Sequence, residues 1–310
     1  MCERENHHDM AILLNFFNPC NSKRILMNFL YTFNQLKSKG YPVYAIELTF
    51  NNQRPSISFD NVIYVSSNSY MFHKEKLYRI LEKSVPNKYK KLLFMDADIY
   101  YREQDWYTII SSSLDKHECV QPYEKVHYLD LSYKYIYKTA WSCLKNEKKV
   151  HESTYSVGFA WAMQRSYYNS SGFYDYCIIG NSDLLSSVHF NGKMLDNSVG
   201  IVTRLHKIKY AEYLKTPKPK GIDYCRLTLY HMYHGSLKNR NYWERNFIFG
   251  SIDDNIHNLI MVNTDGVFEW KTQDLVDHWN PVILKYFKDR DDDDIGTEKD
   301  DNHVTLVDSN

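Results

Sequence analysis

Apolar positions fall into two kinds of run along the 310 residues. Continuous ones, Met10 to Phe17, Val43 to Thr49, Val62 to Val65 and Leu92 to Met95, read as strands buried on both faces, as in a parallel sheet. Between them the spacing changes to threes and fours. Ile25, Leu26, Phe29, Leu30, Phe33 and Leu36 predict an amphipathic helix, capped by Asn21 or Ser22 and closed by Gly40. Met71 to Glu82 predicts a second helix, closed by Pro86. This alternation of strands and helices predicts a doubly wound α/β layout. Further along, helices are predicted over Asp105 to Ser113, Leu131 to Leu144, Ser166 to Ser171, Leu184 to Phe190 and Arg204 to Leu214, the last stopped by Pro217 and Pro219. Strands are predicted over His117 to Gln121, Phe159 to Met163 and Arg226 to Tyr233, and Val282 to Lys288 ends a final helix. No repeat or linker divides the chain, so one domain is expected over 10–290, after a polar tail at 1–9.

Composition adds little to this picture and charge adds more. Apolar residues make up 43% of the chain, enough for a sizeable core. The 27 tyrosines, with abundant Asn and Lys, fit an AT-rich coding sequence. Formal charge is zero, but residues 291–310 hold eight acidic residues and one lysine, leaving 37 basic against 30 acidic in the body. The tail reads as disordered, with no chemistry assigned to its aspartates. A mildly basic body suits an anionic small ligand and is neither basic nor striped enough for nucleic acid. Six cysteines lie scattered at 2, 20, 119, 143, 177 and 225 with no C-x-x-C spacing, so neither a zinc site nor a disulfide framework is expected, and a reducing compartment is. The start, MCERENHHD, is polar, and Ala11 to Phe17 is too short for a signal core or a membrane span. The expectation is a soluble cytoplasmic protein without a membrane anchor, in the host cytoplasm if the source is a virus. Neither G-x-G-x-x-G nor a Walker A loop is present.

The chemistry concentrates where the fourth apolar run ends. In KLLFMDADIY, Asp96 and Asp98 follow a fully buried strand. A D-x-D string alone is weak evidence, and a solvated strand end is the other reading. The context is informative, because ligands of open α/β sheets bind at the carboxyl ends of strands. Two carboxylates there suit a hard divalent cation, Mg²⁺ or Mn²⁺.

Three segments occur in order: KLLFMDADIY, GFAWAMQRSYYNSSGFYDYCIIGNSD and YHMYHGSLKNR. Together, over about residues 91–245, they resemble the GT-A glycosyltransferases, and most closely the metal-dependent β-1,4-galactosyltransferase type. The shared pattern is a D-x-D after a buried strand, a glycine-led strand and helix with a following Gly-Phe, an acidic residue opening the next helix, and a late histidine before a basic stretch. The resemblance implies a GT-A fold, a Rossmann-like, doubly wound mixed sheet with flanking helices in a single domain with a C-terminal extension. It divides that domain into a nucleotide-binding half to residue 100, an acceptor and metal half over 101–250, and a C-terminal hairpin and helix over 251–290. It implies transfer of a sugar (galactose, N-acetylhexosamine or glucose) from a nucleotide diphosphate, UDP for preference, to a hydroxyl of a glycan or glycoprotein, with inversion.

The resemblance also distributes roles. Asp98 matches the direct metal ligand, Asp96 the residue reaching the ribose or a ligand water, and His234 the C-terminal ligand. His231 falls at a softer ligand position. If Tyr230 to His234 is extended, His231 and His234 point to opposite faces, so both serve one ion only if the chain turns there. Imidazole, carboxylate and phosphate oxygens together suit Mn²⁺. Asp183 matches the catalytic base, although GNSD lacks the family's adjacent Glu, and Ser182-Asp183 also suits a plain helix start. Trp161 and Gly180 are expected at the acceptor, with a core position as the alternative for Trp161. Asn15, Phe17, Asn18, Glu47 and Lys74 are expected around the nucleotide, and Lys238 and Arg240 near the diphosphate. Two rivals remain open: a nucleotide-sugar-binding protein without catalysis, which would not need Asp183, and a haloacid-dehalogenase-type phosphatase, whose D-x-D starts near the N-terminus with different following residues.

Overall fold

The computed structural model describes residues 8–146, 154–192, 200–242, 244–295 and 305–306. A seven-stranded sheet forms its centre. β1 (Met10–Phe17), β2 (Val43–Phe50), β3 (Val62–Ser67) and β4 (Lys91–Met95) run parallel in the order β3-β2-β1-β4. Beyond β4 the sheet continues through β10 (Ala160–Gln164), β6 (Cys119–Gln121) and β11 (Ile222–Tyr224). Only β10 runs against its neighbours, which makes the sheet mixed.

Both faces are covered, which explains the unbroken apolar runs. Met10, Ile12, Leu14 and Phe16 of β1 pack against Phe29, Phe33 and Leu36 of α1 (Lys23–Ser38) and Ile110 of α3 (Trp106–Ser113). Ala11 and Leu13 point the other way, toward Leu77, Tyr78 and Leu81 of α2 (Lys74–Leu81). The doubly wound mixed sheet with flanking helices is the architecture expected from the sequence. Ser22 caps α1, its hydroxyl accepting the Ile25 N–H at 3.2 Å, and Gly40 follows the helix at φ +74°.

A second sheet joins β5 (Ile99–Tyr101), β7 (Lys125–Leu129), β8 (Tyr135–Ser142), β9 (Tyr155–Ser156), β12 (Thr228–His231) and β15 (Thr305–Leu306). β8 corrects the helix expected over Leu131 to Leu144. Tyr135 and Tyr137 stand two apart, a strand spacing, and Thr139 and Trp141 face solvent while Ala140 and Ser142 face inward, the period of two of an antiparallel partner to β7. α4 (Arg165–Ser170), α5 (Ser182–Asn191) and α6 (Gly200–Tyr213) fall where helices were expected.

The C-terminal part builds α7 (Ile256–Leu259), a hairpin of β13 (Ile260–Val262) and β14 (Phe268–Trp270), and α8 (Gln273–Asp289). Trp270, Trp279, Ile283 and Phe287 close a third apolar cluster with Met71, Ile178 and Ile179. This packs α8 beside the carboxyl end of β1, where Phe17 meets Phe72 and Phe287 edge-on. None of the described helices is long and apolar enough to cross a membrane.

Candidate metal centre and its cleft

β1 and β4 are adjacent strands from which the chain leads on toward opposite edges of the sheet, to β2 and to β6. At their carboxyl ends lies a cleft of about 230 Å³, the position at which open α/β sheets bind ligands. Asn15, Phe17 and Asn18 end β1 on its floor, beside Asp96 and Asp98 from the end of β4. Lys74 and Glu75 enter from the start of α2, and Asp183 from the first turn of α5.

Asp98, His231 and His234 form a trio whose ligand atoms all lie within 4.8 Å of one another. Oδ2 of Asp98 is 2.9 Å from Nε2 of His234 and 3.7 Å from Nε2 of His231. The two histidines converge because β12 stops at His231. The Met232 N–H then donates to the Asp98 carbonyl at 2.8 Å, and Gly235 adopts φ +88°. The chain thus makes the turn without which the rings would face apart. Asp98 Oδ1 is buried and accepts no hydrogen bond. A buried carboxylate oxygen without a partner is costly in isolation. One carboxylate and two imidazoles around it are a donor set that fits a divalent cation of the Mn²⁺ kind.

Burial pushes the Asp98 carboxyl up, but the His234 and His231 imidazoles more than offset this and hold it well below the usual carboxylate range. Asp96 behaves differently. Burial raises it to about 6 against the opposing pull of Lys74, whose Nζ lies 2.5 Å from Oδ1. Burial and the approach of Asp183 push Glu75 to about 8, with Lys74 opposing. Burial lowers His231, with Asp98 opposing.

Asp183 follows Asn181, which is held at φ +76°, and its Oδ1 accepts the Leu184 N–H at 2.9 Å. A Cβ placed on Gly158 would lie 2.8 Å from Asp183 Oδ2, so Gly158 leaves the carboxylate its room. Phe159, next along, is a bulky residue at φ +70°, a strained conformation for its type. Its carbonyl accepts the Asp96 N–H at 2.8 Å and its ring meets His231 edge-on.

Of the residues singled out from sequence, Gly180 and Arg240 also line the cleft. Asn18 spends its amide on the turn into α1, donating to the Ser22 carbonyl and accepting its N–H, both at 2.8 Å. Asn15 donates to the Lys74 carbonyl at 3.4 Å.

Three expectations are corrected. Glu47 is buried away from the cleft, where its carboxylate accepts the Ser56 and Ile57 N–H groups at 2.6 and 3.2 Å, as a clamp on a loop. Trp161 is in the core, its indole N–H donating to the Val157 carbonyl at 2.9 Å and its ring packed on Phe190. Lys238 is exposed and outside the cleft. A fourth correction concerns the start of the acidic run, expected to belong to a disordered tail. Asp292 is buried in the cleft wall against Arg240, Arg290 and His234, and Asp293 accepts the Lys23 and Arg24 N–H groups at the start of α1. The paired cations and the helix start hold these charges where plain chain would expose them.

Sequence reasoning missed Glu75, Phe159, Asn181, Arg245 and Arg290. Arg245 donates to the Asn181 side chain, and a Cβ on Gly180 would lie 2.7 Å from its Nη1. The one signal available for these was the left-handed turn implied by Gly180-Asn181.

No family model and no curated protein matches the chain. It is similar in structure to the catalytic domain of Drosophila β1,4-galactosyltransferase 7 in complex with xylobiose, at 14% identity over 60% of this chain and 63% of that one, with a TM-score of 0.34. This chain therefore spans less than two thirds of that structure. A mutant of the same enzyme, in complex with manganese, UDP-Gal and xylobiose, matches at 14% identity over the same shares with a TM-score of 0.35. A glycosyltransferase involved in glycosylation of the major capsid of PBCV-1 matches at 12% identity over 78% of this chain and 99% of that one, with a TM-score of 0.28. So does 4-diphosphocytidyl-2C-methyl-D-erythritol synthase from Anaerococcus prevotii, at 11% identity over 70% and 86%, with a TM-score of 0.31. Likeness at this level carries no argument about activity, which rests on the chain's own residues.

Proposed function

We propose that the chain is a metal-dependent glycosyltransferase that moves a hexosyl group from a UDP-linked sugar to a hydroxyl of a glycan or glycoprotein, with inversion. The observation that carries this reading is the Asp98–His231–His234 trio at the carboxyl ends of β1 and β4, with the unpartnered Asp98 Oδ1. Asp98, His231 and His234 would hold Mn²⁺ or Mg²⁺, and Asp96 would reach the ribose or a water beside it. When bound, such a cation offsets the charge that builds on a departing diphosphate.

The remaining work falls to side chains of the cleft. Arg240, Arg245 and Arg290 line it, each with a buried Nε that has no hydrogen-bond partner, and guanidinium groups match phosphate oxygens in geometry. Asn15 and Phe17 lie at the end of β1, where a base and ribose would rest. Asp183 takes the proton from an acceptor hydroxyl lined up behind the anomeric carbon. Gly180 and Asn181 line the cleft beside it, where the acceptor would approach.

The test incubates the full chain with UDP-galactose, UDP-N-acetylhexosamines and UDP-glucose, with and without Mn²⁺, across a panel of glycan acceptors. Expected are Mn²⁺-dependent UDP release with one sugar and a product of inverted anomeric configuration. A chain that binds UDP no better with Mn²⁺ than without it overturns the reading. Tight Mn²⁺-dependent donor binding with no release for any acceptor favours a binding protein instead.

A further inference from the structure

We propose that Asp292 is a positioning residue for His234, so that the metal site is completed by a segment that follows α8 and not by the strand ends alone. The inference rests on the metal reading above.

After α8 the chain crosses the turn that carries His234. Gly235 permits the crossing, since a Cβ there would lie 2.6 Å from the Asp291 carbonyl oxygen and 3.2 Å from the Asp292 Cα. Asp293 then fixes the segment to the start of α1, accepting from the Ser22 hydroxyl at 2.8 Å and from the Arg24 N–H at 2.8 Å. Between these anchors the Asp292 side chain is only 6% exposed. Its Oδ1 lies 3.4 Å from His234 Nδ1, 3.1 Å from Arg240 Nη1 and 3.4 Å from Arg290 Nη2.

The His234 ring therefore meets a carboxylate at each nitrogen, with Asp98 at Nε2, where His231 Nε2 also lies 3.0 Å away. Nε2 can ligate a cation only with its lone pair free, so the ring proton must sit on Nδ1 and needs an acceptor there. Among the described residues, Asp292 is the carboxylate that faces Nδ1. Arg240 competes, because its Nη2 lies 2.5 Å from Nδ1 and also donates to the His234 carbonyl. A guanidinium can only donate. If Arg240 owns Nδ1, the ring proton moves to Nε2 and is spent on Asp98, and the ring is no ligand. Asp292 opposes that outcome twice, by accepting from Nδ1 and by engaging Arg240 through Nη1.

The test uses the purified full chain with Mn²⁺ alone, free Mn²⁺ being read by electron paramagnetic resonance, on wild type, Asp292→Asn, Asp292→Ala and Asp293→Ala. Loss of such an outer partner typically weakens metal binding about 10–100-fold. That loss is expected for Asp292→Ala and a smaller one for Asp292→Asn, whose amide oxygen can still accept from Nδ1–H, while Asp293→Ala, which leaves the Asp292 carboxylate present beside His234, loses less than Asp292→Ala. Nitrogen-15 spectra of the metal-free protein should show the Nδ1–H tautomer of His234 in wild type and Nε2–H in Asp292→Ala. Wild-type Mn²⁺ affinity in folded Asp292 variants overturns the inference and leaves the metal reading intact. So does an equal loss in Asp293→Ala, or an Nε2–H tautomer in wild type, which needs no variant to fold. No Mn²⁺ bound by wild type overturns both.

Discussion

Asp98 supplies the only anionic ligand atom in its trio, so its removal should matter most there. Asp98→Ala is expected to abolish Mn²⁺-dependent affinity for UDP, and His234→Ala to weaken it more than His231→Ala, in line with their 2.9 and 3.7 Å separations from Asp98. Calorimetric titration of UDP with and without Mn²⁺ checks this, and an Asp98→Ala chain with unchanged Mn²⁺-dependent affinity refutes the ligand assignment. Asp183 is a separate case. Asp183→Asn keeps the shape of the side chain and removes the proposed base, so transfer should slow by about 10²–10⁴-fold. The start of α5 should lose only about 0.3–1 kcal/mol of charge–dipole stabilisation. Donor affinity should hold, since nothing in the trio changes. Single-turnover transfer beside a donor titration separates the two effects, and wild-type rates would reduce Asp183 to a helix-start residue. Gly158→Ala should reproduce part of that loss without removing the carboxylate, because the added methyl would lie 2.8 Å from Asp183 Oδ2.

Elements buried on two faces were legible in the sequence, and elements with one wet face less so. β4 is flanked by β1 and β10 and covered on both sides, so its apolar run and the two aspartates at its end stood out. β8 lies near the edge of the second sheet with alternate residues in solvent, so it lacks the continuous apolar run that marks β1 and β4. Trp161 illustrates a different limit: a strand residue beside a cleft and one behind it have the same sequence neighbours, and only the position of Phe190 separates them. Asp292 was illegible for a simpler reason, since four identical residues in a row offer no pattern by which one could be chosen. Its partner His234 was legible, because it is the late histidine before a basic stretch in YHMYHGSLKNR. Gly235→Ala tests how tightly the turn that carries His234 and the segment after α8 depend on each other. An alanine at φ +88° costs on the order of 1–3 kcal/mol, and its methyl would meet the Asp291 carbonyl at 2.6 Å. Urea unfolding should show a loss of at least that size, accompanied by weaker Mn²⁺ binding. A variant as stable as wild type would mean that the segment can step aside.

At the scale of the whole molecule, the chain folds its end over its beginning. α8 and its hairpin pack beside the carboxyl edge of the main sheet, and Asp293 meets Ser22 across 271 residues. This closure gathers Glu75, Asp96, Asp98, Asp183 and Asp292 into one cleft with Lys74, Arg240, Arg245 and Arg290. Acidic groups crowded together in a low dielectric resist ionisation unless each has a partner. Asp98 has the two histidines and Asp292 has two arginines, whereas burial leaves Glu75 as the carboxyl that holds its proton, to about pH 8 against an ordinary 4.5. The sign of its effect on stability follows by linkage. A folded-state value above the unfolded one means that the unfolded chain releases this proton first, so the stability that Glu75 contributes falls from about pH 4.5 until about pH 8 and then levels off. Glutamine mimics the protonated form and carries no such slope. Glu75→Gln should therefore differ little from wild type near pH 4.5, and its stability relative to wild type should rise steadily up to about pH 8. Urea midpoints at half-unit intervals, in a chelator so that no cation alters the balance, measure the difference. A gap between the two proteins that stays flat with pH would show that Glu75 ionises as freely in the cleft as in the unfolded chain, and the crowding argument would fail with it.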